Sequence, residues 1–291
     1  MESDIEEITP SSPRDFVNTI LIAGTLLYLI LLLTSRTLRF WTKYYLYNLC
    51  YPAIGFISIP FILLKPGDAD NVKWPAFFTR LTVKHLFGIK VSAEGLEHLV
   101  SDTPYIIVCN HQSTIDHIAM MEFWPKRCTI MMKNSVKYAG PMGIAAILCG
   151  VIFVNRTNRD KAKEVLEKTV KTIKDQNAKV WVFPEGTRKL CKTEPVSEKH
   201  GYLLPFKKGA FNLAVQAQVP VVPVVFSSQE SFFSVRHNRF TSGEYTMNVL
   251  KPIPTTDMTL DDVPEFTEKV RNTMIDTFIE ISDLKQTTCP K

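Results

Sequence analysis

The chain lacks the short signatures of several well-known chemistries. Its 291 residues contain no G-x-G-x-x-G, no P-loop, no H-E-x-x-H and no G-x-S-x-G. A dinucleotide-binding turn, a nucleotide cradle, a zinc-protease helix and a serine-esterase elbow are therefore not indicated. The six cysteines (Cys50, Cys109, Cys128, Cys149, Cys191 and Cys289) include no C-x-x-C pair. That removes the usual spacing of a zinc site and, at this chain length, a disulfide framework, so they read as reduced structural thiols. The 12 glycines follow no G-X-Y period, which excludes a collagen-like chain. There is no internal repeat, and no low-complexity linker divides residues 74–291. Charge of one sign is also scarce: 34 Lys and Arg against 29 Asp and Glu leave +5. So small an excess does not argue for nucleic acid, but it suits an anionic membrane surface or a phosphorylated substrate. With 45% hydrophobic and 22% charged residues, the chain is not a disordered one.

What the sequence does have is two long apolar runs near its start. Phe16–Leu33 is broken only by Asn18, Thr19, Gly24 and Thr25, and Tyr44–Leu64 carries no charge. Each approaches the roughly 20 residues that span a hydrocarbon core as a helix. The acidic flank before the first (Glu2, Asp4, Glu6 and Glu7) argues against a cleaved signal peptide. Ten residues separate the runs and include Arg36, Arg39 and Lys43, which the positive-inside bias assigns to a cytosolic loop. Pro52, Gly55 and Pro60 interrupt the second run, and Tyr44, Tyr45, Tyr47 and Tyr51 crowd one end of it. Tyrosine suits interfacial depth and proline bends helices, so this run is expected to be a half-inserted or re-entrant helix. The expected organisation is membrane-anchoring helices over 1–73 and a catalytic domain over 74–291.

In that second region the period changes. Tyr105–Cys109, Thr129–Met132, Val151–Val154, Lys179–Phe183 and Val221–Phe226 read as strands, and Ile115–Phe123, Asp160–Asp175, Gly209–Ala217 and Asp261–Ile281 as helices. Tyr245–Leu250 reads as an edge strand, and Pro223 places its own strand at an edge or a bulge. The alternation predicts an α/β fold: a mixed sheet flanked by helices, with the N-terminal pair of membrane-embedded helices attached.

Three blocks directly follow or end predicted strands. In Asn110-His111-Gln112-Ser113-Thr114-Ile115-Asp116, His111 and Asp116 are five apart. That is about 140° around a straight helix, so they meet only if His111 sits on the loop and Asp116 in the first turn. Ser113-x-x-Asp116 supplies a helix-start signature at that point. The pair then reads either as a histidine base steered by a carboxylate, or as a helix cap beside a loop histidine. Phe183-Pro184-Glu185-Gly186-Thr187-Arg188 reads either as a phosphate seat, with Arg188 as its forked donor, or as a tight turn. Asn155 and Arg156 end the third block, at the strand terminus where α/β folds place ligand-binding groups, with a surface arginine as the plainer reading.

The order of the blocks is more specific than any one of them. NHQSTID (110–116), GVIFVNR (150–156), VWVFPEGTR (180–188) and VPVVPVVFSS (219–228) together resemble the glycerolipid acyltransferase family. LPFKKGAFNLAVQAQVP (204–220) and RFTSGEYTMNVLKPIPT (239–255) are similar to its animal 1-acylglycerol-3-phosphate (lysophosphatidic acid) acyltransferases. The resemblance covers about residues 75–280, and Asn155 stands where Asp is also common. It implies transfer of a fatty acyl group from acyl-CoA to the sn-2 hydroxyl of lysophosphatidic acid, with no metal and no covalent acyl-enzyme. His111 and Asp116 would be catalytic, and Lys133, Arg156 and Arg188 would hold the acceptor phosphate. Glu185, Gly186 and Thr187 would shape that seat. The resemblance also implies an integral protein of the endoplasmic reticulum membrane; a re-entrant second run keeps its catalytic face in the cytosol, whereas a full second span would put it in the lumen. The competing expectations are the same chemistry on glycerol-3-phosphate or another lysophospholipid, and a non-catalytic membrane scaffold.

Overall fold

A computed structural model describes residues 13–155, 159–188 and 202–283. The first two elements are helices, α1 (Pro13–Thr34) and α2 (Arg36–Ile62), both long and apolar enough to cross a membrane. No residue of α1 is buried. The ten-residue basic loop expected between the two runs is absent. Ser35 alone separates the helices, its Oγ accepts the Leu38 N–H at 3.2 Å, and Arg36, Arg39 and Lys43 lie in the first turns of α2. The expected break at Pro52 and Pro60 is absent too, because α2 runs through both. Packing overrides propensity here. Phe40, Tyr47, Ile54, Gly55, Ser58 and Ile62 line one buried stripe along about 33 Å of helix.

The chain continues through two short helices, α3 (Lys73–Phe78) and α4 (Lys84–Phe87), into strand β1 (Ile89–Glu94). There follow β2 (Ile106–Cys109), α5 (Asp116–Glu122), β3 (Cys128–Lys133), α6 (Gly140–Leu148), β4 (Ile152–Val154), α7 (Arg159–Gln176), β5 (Lys179–Val182) and α8 (Gly209–Ala217). The last elements are β6 (Val221–Phe226), the small hairpin β7 (Phe233–Ser234) and β8 (Arg239–Phe240), β9 (Gly243–Val249) and α9 (Val263–Ile281). Seven strands form one mixed sheet in the order β1-β9-β6-β2-β5-β3-β4. The five from β6 to β4 are parallel, β9 is antiparallel to β6, and β1 runs parallel to β9.

Both faces of the sheet are covered, which is why β2 and β5 read as unbroken apolar runs. Ile107, Cys109 and Trp181 meet α2, α5 and α6 on one face, whereas Ile106, Val108 and Val180 meet α8 and α9 on the other. One expectation is corrected. β9 is internal, between β6 and β1, and not an edge strand. β6 is also central, so of the two positions expected for Pro223 the bulge is the one found. Its Pro223 is tolerated because the ladder to β9 covers only Val224–Phe226, while the next bridge, Val221 to Ile253, leaves three partner residues (250–252) opposite two (222–223). The proline therefore sits at a bulge, where its missing N–H breaks no ladder bond.

Helices α2 and α6 cross at Gly55, where an added Cβ would lie 2.9 Å from Met142 Cα and 3.1 Å from the Pro141 carbonyl carbon. Gly55→Leu is expected to force the helices apart and lower stability by about 1–3 kcal/mol. Thermal unfolding in detergent checks this, and an unchanged midpoint would contradict the close crossing.

Candidate active site

Because five neighbouring strands are parallel, the loops that follow them leave the same edge of the sheet. His111 follows β2, Lys133 ends β3, Asn155 follows β4, Glu185 and Arg188 follow β5, and Ser227 to Gln229 follow β6.

The β2 loop is fixed from several sides. Asn110 continues the sheet with its side chain: Nδ2 donates to the Phe226 carbonyl at 3.0 Å, and Oδ1 accepts the Phe226 N–H at 2.8 Å. Gln112 Nε2 donates to the Phe226 and Ser227 carbonyls. Held this way, His111 Nδ1 lies 2.7 Å from Asp116 Oδ2. The same Oδ2 accepts the Gln112 N–H at 2.8 Å and the Ser113 N–H at 3.1 Å, and Oδ1 accepts from Gln229 Nε2 at 2.6 Å. A carboxylate ringed by donors is an acceptor only, so the hydrogen of the imidazole sits on Nδ1 and Nε2 keeps its lone pair. The His111 ring also stacks on Phe183, centroids 4.0 Å apart and planes at 21°. The expected helix start is present in altered form. Helix α5 begins at Asp116, whose carboxylate reaches back to the Ser113 N–H, but Ser113 Oγ accepts from Ile115 N, not from Asp116 N.

Glu185 has a tethering part. It is buried, Oε1 accepts the His111 N–H at 2.7 Å, and Oε2 accepts the Leu204 N–H at 2.9 Å. Arg271 of α9 in turn donates to the Leu203 and Leu204 carbonyls. Gly186 adopts φ +72°, so the turn needs glycine for its backbone, whereas a Cβ there would meet only the movable end of the Lys207 side chain. Thr187 and Arg188 are exposed. Lys133 is exposed at the end of β3, one residue past Met132, which lines the cavity described next; strand alternation puts Lys133 on the other face. Arg156 lies outside the described residues.

A largely apolar cavity of about 490 Å³ lies between α2, α5, β3 and α6. Its walls include Tyr51, Ile54, Met121, Ile130, Met142 and Val151, and it reaches Thr114 of the histidine loop and Arg188. Thus Arg188 and Thr114, which lies between His111 and Asp116 in the chain, line one cavity, while His111, Asp116 and Lys133 are not among its walls. Sequence reasoning missed the hydroxyls that hold this loop. Tyr47 OH donates to the Thr114 carbonyl at 2.9 Å, and Tyr51 OH donates to Tyr47 OH. Tyr245 OH donates to the Ile115 carbonyl at 2.9 Å and accepts the Ala119 N–H at 3.0 Å. Gln229 was missed as well, although it too follows a buried strand, which is the pattern that exposed the other blocks.

Cys109 is an unreactive neighbour, since burial, with Asp116 and Glu185 nearby, pushes its thiol well above the ordinary range. His117 lines the cavity, and its Nδ1 is buried without a hydrogen-bond partner. Burial first, and the Arg188 guanidinium second, lower its pKa from 6.5 to about 4. The unfolded chain takes up this proton near pH 6.5 and the folded one only near 4. Stability from this group is therefore full above that window and falls as the pH drops through it. His117→Phe is expected to flatten the fall of the thermal midpoint between these pH values; an equally steep fall would contradict the assignment.

The sequence profile described as Acyltransferase matches residues 90–227. The chain is 40% identical over 248 residues to human 1-acyl-sn-glycerol-3-phosphate acyltransferase alpha, covering 85% of this chain and 84% of that one. It is 38% identical over 268 residues to the human beta protein, covering 91% and 93%. The corresponding protein of Saccharomyces cerevisiae is 39% identical over 211 residues, covering 72% and 67%. In fold, the chain is similar to the crystal structure of the 1-acyl-sn-glycerophosphate (LPA) acyltransferase PlsC from Thermotoga maritima, with TM-score 0.58 and 21% identity over 88% of this chain and 97% of that one. By sequence along most of its length, this chain belongs to the acyltransferase family that includes the human and yeast 1-acyl-sn-glycerol-3-phosphate acyltransferases.

Proposed function

We propose that the protein is a 1-acyl-sn-glycerol-3-phosphate O-acyltransferase, moving a fatty acyl group from acyl-CoA to the sn-2 hydroxyl of lysophosphatidic acid to give phosphatidic acid. The observation that carries this reading is the His111–Asp116 pair, with Nδ1 engaged at 2.7 Å and Nε2 left as the proton acceptor. The names of the relatives supply the acceptor.

A lipid alcohol is a poor nucleophile at neutral pH. His111 Nε2 takes the hydroxyl proton as the oxygen attacks the thioester carbonyl carbon. The C–S bond then breaks, and the imidazolium returns the proton to the departing CoA sulfur. Asp116 holds the ring and balances the charge that forms on it. Arg188, at the mouth of the cavity, receives the acceptor's phosphate on its planar fork. Arg156 is the further phosphate group of this reading, and Lys133, which does not line the cavity, would join it only from outside. Glu185 contributes by fixing the backbone at His111, and Gly186 and Thr187 shape the turn that presents Arg188.

Both substrates carry long alkyl chains, and moving each methylene into water costs about 0.8 kcal/mol. An enzyme seated in the bilayer avoids that cost. Helix α1 offers an apolar surface with no buried residue, and α2 offers one face to lipid and the other to the catalytic domain. The endoplasmic reticulum membrane, with the catalytic face in the cytosol, is the location this reading assigns. No metal or other cofactor takes part.

His111→Ala is expected to lower acyl transfer by about 10²–10⁴ with folding retained; unchanged transfer would remove the base. Arg188→Ala is expected to raise KM for the phosphorylated acceptor, and a loss of rate alone with every acceptor would contradict the phosphate role. A panel of acceptors tests the substrate, and equal or better turnover of glycerol-3-phosphate would overturn it.

A further inference from the structure

Beyond His111 and Asp116, the proton-accepting unit has a third member that sits on neither of their elements. Gln229 follows β6 and is 2% exposed. Its amide is used at both ends. Nε2 donates to Asp116 Oδ1 at 2.6 Å, and Oε1 accepts from Ser113 Oγ at 2.5 Å. The direction of each bond is forced. The carboxylate can only accept, so the nitrogen must face it. Ser113 Oγ already accepts the Ile115 N–H at 2.9 Å, which leaves its own hydrogen for Gln229 Oε1. The segment is itself immobilised. Ser227 N donates to the Thr246 carbonyl, Thr246 N donates to Ser227 Oγ, and Ser228 N donates to Ser282 Oγ at the end of α9. The Gln229 carbonyl accepts from Phe232 N and Phe233 N.

We infer that Gln229 is a positioning residue of the acyl transfer: it occupies Asp116 Oδ1 so that Oδ2 alone faces His111 Nδ1, and it anchors the histidine loop to the end of β6. This rests on the reading of His111 as the base. A carboxylate free to swing would offer either oxygen to the ring, and Nε2 would lose its fixed aim at the hydroxyl. A glutamine suits the post because one amide carries both a donor and an acceptor, and it adds no charge beside Asp116.

Two variants test this against His111→Ala as reference. Gln229→Leu keeps the volume and removes both bonds. It is expected to lower kcat by about 10-fold to 10²-fold, within the range a positioned base contributes, while KM for both substrates stays within about threefold. Gln229→Glu keeps the shape but makes the donor titratable. With its proton on, the introduced carboxyl can still donate to Asp116 Oδ1 and accept from Ser113. Once the proton is lost, two carboxylates face each other. Activity near wild type at low pH, falling along a basic limb absent from the wild-type kcat profile, is the expected signature. The other titratable or charged groups around Asp116 are His111, His117, Cys109, Tyr47, Tyr51, Tyr245 and Glu185, with Arg188 beside His117 and Tyr51, and all are common to wild type and variant. A wild-type kcat for Gln229→Leu overturns the inference. So does a Gln229→Glu profile of wild-type shape, or one equally depressed at every pH, which would mark a merely structural glutamine. If His111→Ala stays active, the base reading itself fails. If His111→Ala is inactive and both Gln229 variants behave as wild type, only the role of Gln229 fails.

Discussion

The site depends on one buried carboxylate that collects four N–H donors. Asp116 receives His111 Nδ1, the Gln112 and Ser113 backbone amides and Gln229 Nε2. Charge-assisted bonds are the stronger kind, and inside a protein they count for more than in water. They have a directional result. With three donors on Oδ2 and one on Oδ1, the carboxylate is held from both ends, and the imidazole that shares it keeps one tautomer and one plane. Phe183 stacked on the ring limits the remaining motion.

The sheet makes this convergence possible. His111 comes from the loop after β2, Glu185 from the loop after β5, Gln229 from the loop after β6 and Asp116 from the start of α5. Parallel neighbours bring those loops to one edge although His111 and Gln229 are more than a hundred residues apart in sequence. Glu185 spans two of them by accepting the His111 N–H and, from a third segment, the Leu204 N–H. A carboxylate aimed at backbone amides is turned away from a phosphate that it would repel. The turn can therefore hold an acidic residue three positions before Arg188 and still present a cation to the cavity.

Much of this was legible in the sequence because it is written in local pattern. The strands over 106–109, 179–182 and 221–226 are short β-branched runs, α7 has its apolar period, and each polar block directly follows an apolar strand. The residues that escaped notice act across sequence distance. Tyr47, Tyr51, Tyr245 and Gln229 reach the histidine loop from α2, β9 and the end of β6, and nothing adjacent to them in the chain marks that contact. The internal position of β9 was hidden for the same reason, since sheet order is a property of the assembled fold. The unbroken course of α2 through two prolines was missed because local propensity argues against it and only its packing against α6 and the sheet argues for it.

That packing changes what kind of object the second hydrophobic helix is. Phe40, Tyr47, Ile54 and Ile62 belong to the same core as Ile107 and Trp181, and Tyr47 holds a carbonyl of the loop that carries the base. Such a helix is not a tether that could be cut away to yield a water-soluble enzyme. Trimming the chain behind it would open the interior to solvent and release the loop. On the proposed reading, the lipid-facing surface and the chemistry are thus opposite sides of a single wall, and whatever tilts that wall in a bilayer is passed by the Tyr47–Thr114 hydrogen bond to the histidine loop.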